Sequence, residues 1–318
     1  MTLGEFDLIE RFFSRPSRRG DVLLGVGDDA ALLSVPAGQV LVAATDTLVE
    51  GRHFLTGAPA RSVGHQVLAV NLSDLAAMGA DPAWALLSLS MPTAEEGWLQ
   101  GFADGLYALA ERFEVALVGG DTVRGPLVAT IELLGFVEPE LALRRSGARP
   151  GDRLYVSGWP GEAAAGLDAL RQGLASPDGD DPLVRRYLFA EPRIELGRAL
   201  RGRASAAMDV SDGLLGDLAK LCVASRVGAK LRLEALPVSG RLSAQHGRAA
   251  CEQYVLHGGD DYELLFTVPA TEAERFEREL RAVCPVTHIG EITAGGGIEC
   301  LRNGASVAIG AAGYDHFA

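Results

Sequence analysis

Asp28 and Asp29 stand side by side in the otherwise apolar run Leu23–Leu33, LLGVGDDAALL. Carboxylates are among the groups least often buried without partners, and two adjacent ones repel each other. The pattern recurs in ATDT (44–47), GGDT (119–122), MDVSDG (208–213) and GGDDYELLF (258–266). Periodicity predicts strands over Val22–Val26, Val40–Ala44, Trp84–Met91, Val115–Val118, Leu127–Val137, Leu154–Ser157, Leu231–Leu233 and Glu263–Val268. It predicts helices over Ser62–Gly79, Ala94–Phe113, Glu162–Leu174, Ile194–Arg201, Leu214–Ser225 and Glu272–Val283. Thr93 with Glu96 three residues on has the spacing of a capping box. On this map each acidic turn falls at an element end: GDDA, ATDT and GGDT after strands, MDVSDG before a helix, GGDDYE before a strand. Functional residues collect at such ends in mixed sheets, so the turns are expected to serve one convergent site.

The order of elements is that of a mixed α/β protein. At 318 residues and 48% apolar content the chain is long enough for two cores. The polar, turn-rich RRSGARPGD (144–152) is the expected boundary, giving an N-terminal domain over 1–148 and a C-terminal α/β domain over 149–318. No stretch approaches the ~20 uninterrupted apolar residues of a membrane span. The start, MTLGEFDLIERFF, carries acids where a signal peptide needs a basic and then an apolar run. Four scattered cysteines, Cys222, Cys251, Cys284 and Cys300, form no C-x-x-C pair. They read as reduced thiols of a cytoplasmic protein.

A formal net charge of −13 argues against non-specific nucleic-acid and anionic-membrane binding, because a phosphate backbone would be repelled. Partners are expected to be small or to bring cations. Lys220 and Lys230 are the only lysines, and no G-x-x-x-x-G-K-[ST] occurs. A triphosphate would therefore be handled by arginine, backbone amides or metal.

In the Ser62–Gly79 helix, Val67, Asn71, Asp74 and Met78 share one stripe, so Asn and Asp sit between two large apolar residues. Any one such aspartate could equally be an N-cap or a buried, hydrogen-bonded carboxylate; the set is what points to cations. Aspartates beside Thr and Asn are hard oxygen ligands suited to Mg²⁺ or Ca²⁺, and no EF-hand spacing is present, which puts Mg²⁺ first. Mg²⁺ binds through a few carboxylates plus substrate phosphates, and the glycines of Gly25–Gly27 and Gly119–Gly120 would admit phosphate oxygens to backbone amides. The reading is metal-dependent phosphoryl transfer.

GEFDLIERFF, GVGDDAALL, TDTLVEGRHF, AVNLSDLAAMGADPAW, GGDTVRG, RSGARPGD, MDVSDGLLGDL, GGDDYELLF and the terminal GYDHF together resemble the thiamine-monophosphate kinases, in the superfamily of aminoimidazole ribonucleotide synthetase. The likeness runs from Gly4 to Phe317. It implies a two-domain fold whose N-terminal domain forms a homodimer interface. The implied activity is Mg²⁺-dependent transfer of the ATP γ-phosphoryl group to thiamine monophosphate, the final step to thiamine diphosphate. Carried over by position, Asp28, Asp29, Thr45, Asp46, Asp74, Asp121, Asp209 and Asp212 match magnesium ligands or their supports, with Asp46, Asp121 and Asp212 central to catalysis. Gly120, Asp121, Arg145 and Ser211 match nucleotide contacts, and His53, Glu263 and Tyr314 match positions that hold the thiamine moiety. Asp260 stands where many relatives carry Glu.

These roles suit the chemistry. Tyr314 could stack on an aminopyrimidine or a cationic thiazolium, Glu263 could accept a hydrogen bond, and the guanidinium of Arg145 suits a phosphate. Tyr314 could equally be a packed anchor, His53 an exposed loop residue, and Arg145 a tie between domains. The acceptor, a phosphate oxygen, is already ionised near neutrality, so in-line attack requires positioning and charge neutralisation rather than a general base. The rivals are another ATP-dependent enzyme of the superfamily and a non-catalytic magnesium–nucleotide-binding module. A selenophosphate synthetase is disfavoured, since the first cysteine is Cys222 rather than one near the N-terminus.

Overall fold

The structure is a computed structural model that describes residues 4–280 and 282–310. By internal contacts it divides into one compact unit of residues 1–75 and 80–139 and another of residues 76–79 and 140–318. Among the described residues no helix is long and apolar enough to cross a membrane.

The first unit opens with α1 (Glu5–Leu8), which runs into a single π-helical turn at Ile9–Phe13. A small hairpin of β1 (Val22–Leu24) and β2 (Leu32–Leu33) follows. The main sheet holds β3 (Val40–Val49), β4 (Asp81–Met91), β5 (Ala116–Arg124) and β6 (Val128–Val137) in the order β3-β6-β4-β5, with only the β4–β5 pair parallel. Between β3 and β4 lies α2 (Ala60–Ala77), and between β4 and β5 lies α3 (Glu96–Arg112). Residues on nearly every side of α2 are buried, including Val63, Val67, Leu68, Leu72 and Leu75, which is the pattern of a helix packed all round.

Glycine sets how closely α2 and α3 approach. A Cβ on Gly64 would lie 1.9 Å from the Phe102 carbonyl oxygen, and one on Gly105 would lie 1.9 Å from that of Arg61. No side chain fits either position. The hairpin packs on the sheet: Val22, Ala31 and Leu33 meet the cluster around Trp84 and Val118, and Asp21 accepts from the Trp84 indole (3.1 Å) and from Arg19 (2.6 Å).

The second unit is a seven-stranded sheet of β7 (Arg153–Ser157), β8 (Ala206–Val210), β9 (Gly228–Arg232), β10 (Glu263–Val268), β11 (Val286–Thr293), β12 (Ile298–Arg302) and β13 (Ala305–Val307). Its order is β13-β12-β9-β11-β7-β10-β8, antiparallel except for β12–β9. The helices are α4 (Glu162–Arg171), α5 (Pro182–Leu188), α6 (Ile194–Leu200), α7 (Leu214–Ser225), α8 (Gly240–Gln245), α9 (Arg248–His257) and α10 (Ala273–Leu280). β10 is buried along its whole length, and the core joins β7, β8 and β10 to α7 and α9 through Leu154, Met208, Leu218, Val255 and Leu265.

Several expectations are corrected. ATDT does not follow a strand but lies inside β3, and GGDT lies inside β5, because both strands run on past their apolar stretches. The Thr93–Glu96 capping box does not form: α3 starts at Glu96, and its N-cap, Glu95, makes no side-chain cap bond. The strand predicted at Leu231–Leu233 is β9, three residues earlier in its start, with a 3₁₀ turn at Leu233–Ala235. At the start of RRSGARPGD the Arg144 carbonyl accepts from Ala207 N–H of β8 (2.8 Å).

Gly105→Ala should lower stability by ~1–3 kcal/mol, the usual cost of overpacking. Urea unfolding of the variant against wild type measures it, and an unchanged midpoint would refute the close α2–α3 approach.

Candidate active site

Each unit presents its own group of the predicted residues. In the first, pairing carries registered rows across the sheet. Asp46 is level with Ile131, Leu87 and Gly120, and the adjacent row holds Thr47, Thr130, Ser88 and Asp121. The Asp46 and Asp121 carboxylates therefore leave strands at opposite edges of the sheet, one row apart and on opposite faces, with Asp121 on the face of Thr45 and Thr47. Strand alternation puts Thr45 and Asp46 on opposite faces. Thr45 is exposed and its hydroxyl donates to the Ile131 carbonyl (3.1 Å); Asp46 is half-buried and Asp121 exposed. Gly120 takes φ +149°, and a Cβ there would lie 1.9 Å from the Leu87 carbonyl oxygen. This explains a glycine before Asp121 without reference to a ligand.

Asp28 and Asp29 sit exposed in the β1–β2 turn, where the Asp29 amide donates to Asp28 Oδ1 (2.8 Å). On α2, Asn71 is fully buried, its Nδ2 donating to the Val67 carbonyl (3.0 Å), and its Oδ1 has no hydrogen-bond partner; Asp74, one turn on, is half-buried. His53 lies just past β3. Val49 N–H donates into its Nδ1 (3.0 Å), which fixes the neutral tautomer with the proton on Nε2.

In the second unit two acidic turns lock together. The Ser211 carbonyl accepts from Asp260 N–H (2.9 Å), and the Val210 carbonyl accepts from Tyr262 N–H (2.9 Å). A Cβ on Gly259 would lie 2.7 Å from the Ser211 carbonyl oxygen, and one on Gly213, at φ +107°, would lie 2.9 Å from that of His257. Asp260 (φ +64°) and Tyr262 (φ +53°) are both left-handed, a conformation that costs a non-glycine residue of order 1 kcal/mol and persists where surroundings impose it. Between them Asp261, fully buried, accepts from Gly161 N–H (2.6 Å) and Ala163 N–H (3.2 Å) at the start of α4. Burial pushes its carboxyl up to about 8, against those amides and Arg186. Burial also pushes Asp260 up, to about 6, with the Asp212 charge adding to the rise.

Glu263, the first residue of β10, has zero exposure. Its Oε1 accepts from Arg186 (2.7 Å) and Arg193 (2.6 Å), and its Oε2 accepts from Arg193 Nε (2.6 Å) and Ser157 Oγ (2.5 Å). Arg186 also donates to the Asp261 carbonyl (2.7 Å). Burial opposes the charge, but the two arginines overcome it and hold the carboxyl below its usual range. Glu263, expected to meet the thiamine moiety, thus receives four hydrogen bonds from the chain itself just after the strained loop.

Asp209 is buried in β8, and Ser211 and Asp212 follow it half-exposed. Arg145 is exposed, with its backbone carbonyl held by Ser225 Oγ (2.9 Å). Tyr314 lies outside the described residues. Sequence reasoning missed Ser157, Arg186, Arg193, Asp217, Lys220 and Asp261. The scarcity of lysine was a signal for Lys220; nothing local marks two arginines among twenty-seven as partners of Glu263.

Among the described residues no three His, Cys, Asp or Glu side chains gather into a ready metal cage. Magnesium does not need one, since it takes one or two carboxylates and fills its shell with water and phosphate. The donors at hand are oxygens, and in the second unit one of them already holds a cation, the Lys220 ammonium at 2.5 Å from Asp212 Oδ2. The residues fit the ion.

Glu263→Gln leaves two arginines facing a neutral amide and should cost ~3–5 kcal/mol, the usual loss on breaking a buried pair. The pH dependence has two opposed parts. Glu263, with a lowered folded pKa, stabilises above its ordinary value of 4.5, and that stability is lost as pH falls through the folded value. Asp261, raised from 3.8 to about 8, binds more protons folded than unfolded, so its contribution declines as pH rises across that window. Unfolding midpoints from pH 4 to 9 should show Asp261→Asn flattening the decline; an unaltered profile would count against the buried carboxyl.

Residues 27–137 match the N-terminal domain of AIR synthase related proteins and residues 149–302 match the C-terminal domain. The chain is 47% identical to the thiamine-monophosphate kinase of Escherichia coli strain K12 over 100% of its length and 99% of that protein's. It is 36% identical to the one from Bacillus subtilis, covering 91% of each. Its fold matches the crystal structure of thiamine-monophosphate kinase from Stenotrophomonas maltophilia with a TM-score of 0.88 at 44% identity, over 94% of this chain and 97% of that one. It matches AaThiL complexed with AMPPCP and TMP with a TM-score of 0.78 at 32% identity, covering 89% of each. The chain belongs to the thiamine-monophosphate kinases, phosphotransferases within the AIR synthase related family.

Proposed function

We propose that this chain transfers the γ-phosphoryl group of ATP directly to the phosphate of thiamine monophosphate, giving thiamine diphosphate, and that it requires Mg²⁺. The observation that carries this reading is full-length identity to thiamine-monophosphate kinases, together with a fold shared with a relative solved with an ATP analogue and TMP. The oxygen-donor chemistry of both units supports it. In the first unit Asp28, Asp29, Thr45, Asp46, Asp74 and Asp121 would hold magnesium or orient its ligands; in the second, Asp209 and Asp212 would. Bound magnesium would neutralise phosphate charge so that two anions can approach.

The chain's own part is positioning. Gly120 lets the backbone pass level with Leu87 and sets Asp121, while Ser211 and Arg145 are the nucleotide contacts of this reading. His53 and Tyr314 hold the thiamine moiety, with the His53 proton fixed on Nε2 by the Val49 amide. Glu263 serves indirectly, by holding the loop of Asp260 to Tyr262 in place. No side chain need remove a proton from an acceptor already ionised.

The open face of the first sheet also supports a homodimer. It carries Thr45, Thr47 and Glu132 exposed beside the apolar Leu41 (51% exposed) and Val123 (48% exposed), a surface suited to a second copy. Four buried, unpaired cysteines suit a reducing, cytoplasmic setting.

The deciding experiment incubates the chain with ATP, Mg²⁺ and thiamine monophosphate. Thiamine diphosphate and ADP should appear in equal amounts, and a binding module would form neither. Asp46→Asn or Asp121→Asn should abolish turnover, by ~10²-fold or more as when a charge-stabilising group is lost, with the fold retained by circular dichroism. Activity kept at saturating Mg²⁺ would refute their roles.

A further inference from the structure

Helix α7 begins with a device that the proposed chemistry does not itself explain. Asp217, one turn in, has zero exposure. Its Oδ2 accepts from two consecutive backbone amides, Ser211 N–H (3.0 Å) and Asp212 N–H (3.0 Å). Its Oδ1 accepts from Lys220 Nζ (2.8 Å), and the same ammonium reaches back to Asp212 Oδ2 (2.5 Å). One buried carboxylate thus grips the backbone of the turn, and one lysine, of only two in the chain, grips its side chain.

The two lysine bonds differ in surroundings. Asp217 is fully enclosed, whereas the side chains of Asp212 and Lys220 are 32% and 43% exposed. The outer bond can be given up to water or to another cation at little cost; the inner one cannot, for it would leave a buried charge alone.

We propose that Asp217 and Lys220 are positioning residues for the Ser211–Asp212 turn, with Lys220 an internal counter-ion that occupies the Asp212 carboxylate until magnesium arrives with the nucleotide and displaces it. Asp217 keeps its hold on the turn and on the lysine throughout. The exchange makes occupation of Asp212 by a divalent ion depend on the added grip of polyphosphate oxygens, since the bare ion must compete with a tethered charge. This inference rests on the reading of Asp212 as a magnesium ligand, and its test separates the two.

The probe is Mn²⁺ alone, counted by electron paramagnetic resonance on the nucleotide-free full chain. Lys220→Met removes the competitor and should tighten Mn²⁺ binding about five-fold, in keeping with a partly exposed ion pair. Lys220→Arg keeps the charge and should restore the wild-type affinity. Asp217→Asn frees the turn and should weaken Mn²⁺ binding by about five-fold. A merely structural role would shift the unfolding midpoint and leave Mn²⁺ affinity alone. Asp212→Asn is the control: if it lowers Mn²⁺ binding while Lys220→Met fails to raise it, the exchange is overturned and the ligand reading stands. If Asp212→Asn leaves Mn²⁺ binding unchanged, both fall. Lys220→Met also strips the buried Asp217 of its ammonium, so the double variant Lys220→Met/Asp217→Asn, which leaves no charge alone, must bind Mn²⁺ more tightly than Asp217→Asn does; equal affinity would overturn the exchange.

Discussion

Glu263 with its arginines is the interaction on which the second unit's geometry depends. A carboxylate with no exposure can remain ionised only where donors fill its oxygens, and here Arg186, Arg193 and Ser157 do so. The partners come from three separate places: the end of β7, helix α5 and the residue before α6. Holding them to the first residue of β10 fixes the loop just before it, in which Asp260 and Tyr262 take left-handed backbone conformations. Gly158, at φ +56°, is part of the same fit, because a Cβ there would fall 2.0 Å from Glu263 Oε1. The strain in the loop is thus held by a charge network that is itself too buried to relax.

The two units solve the problem of crowded carboxylates differently. In the second, aspartates are tied down by the chain: Asp261 by the amides at the start of α4, Asp217 by the Ser211 and Asp212 amides, Asp212 by Lys220. In the first, they are spread along strands of one sheet. There Asp46 and Asp121 lie on strands separated by two others, one row apart, and Asp28 and Asp29 stand in a hairpin turn packed onto that sheet. In the same unit Gly120 lets the backbone of β5 close on β4, and Gly64 and Gly105 let α2 and α3 pack tightly.

Local signals were most legible where one periodicity ran unbroken. α7 and β10 occupy Leu214–Ser225 and Glu263–Val268, the spans that periodicity predicts, because their apolar residues repeat cleanly and glycine or strained residues bound them. β3 and β5 ran past their expected ends because hydrogen bonding to β6 and β4 continues through polar Thr45, Asp46 and Asp121. A strand's length depends on its neighbour as much as on its own residues. Strands β11, β12 and β13 and helices α8 and α9 were not read at all, being short and mixed in polarity. In the candidate site the aspartates were visible as aspartates, but Glu263 looked like an available acceptor, since its saturation comes from Arg186 and Arg193 some seventy residues away.

What the sequence alone determined is chemistry: acidic turns rich in oxygen donors, a negative charge that disfavours non-specific nucleic-acid binding, lysine too rare to supply a P-loop, and motifs that mark the family from end to end. Residue type carries such properties without folding. What the tertiary structure decided is which of those carboxylates are available. Asp212 is half-exposed and held by a displaceable lysine, whereas Asp217, Asp261 and Glu263 are enclosed and held by donors on both oxygens. The reason is that the ionic state and reach of a carboxylate depend on burial and on donors brought in from distant segments, and no local pattern encodes those.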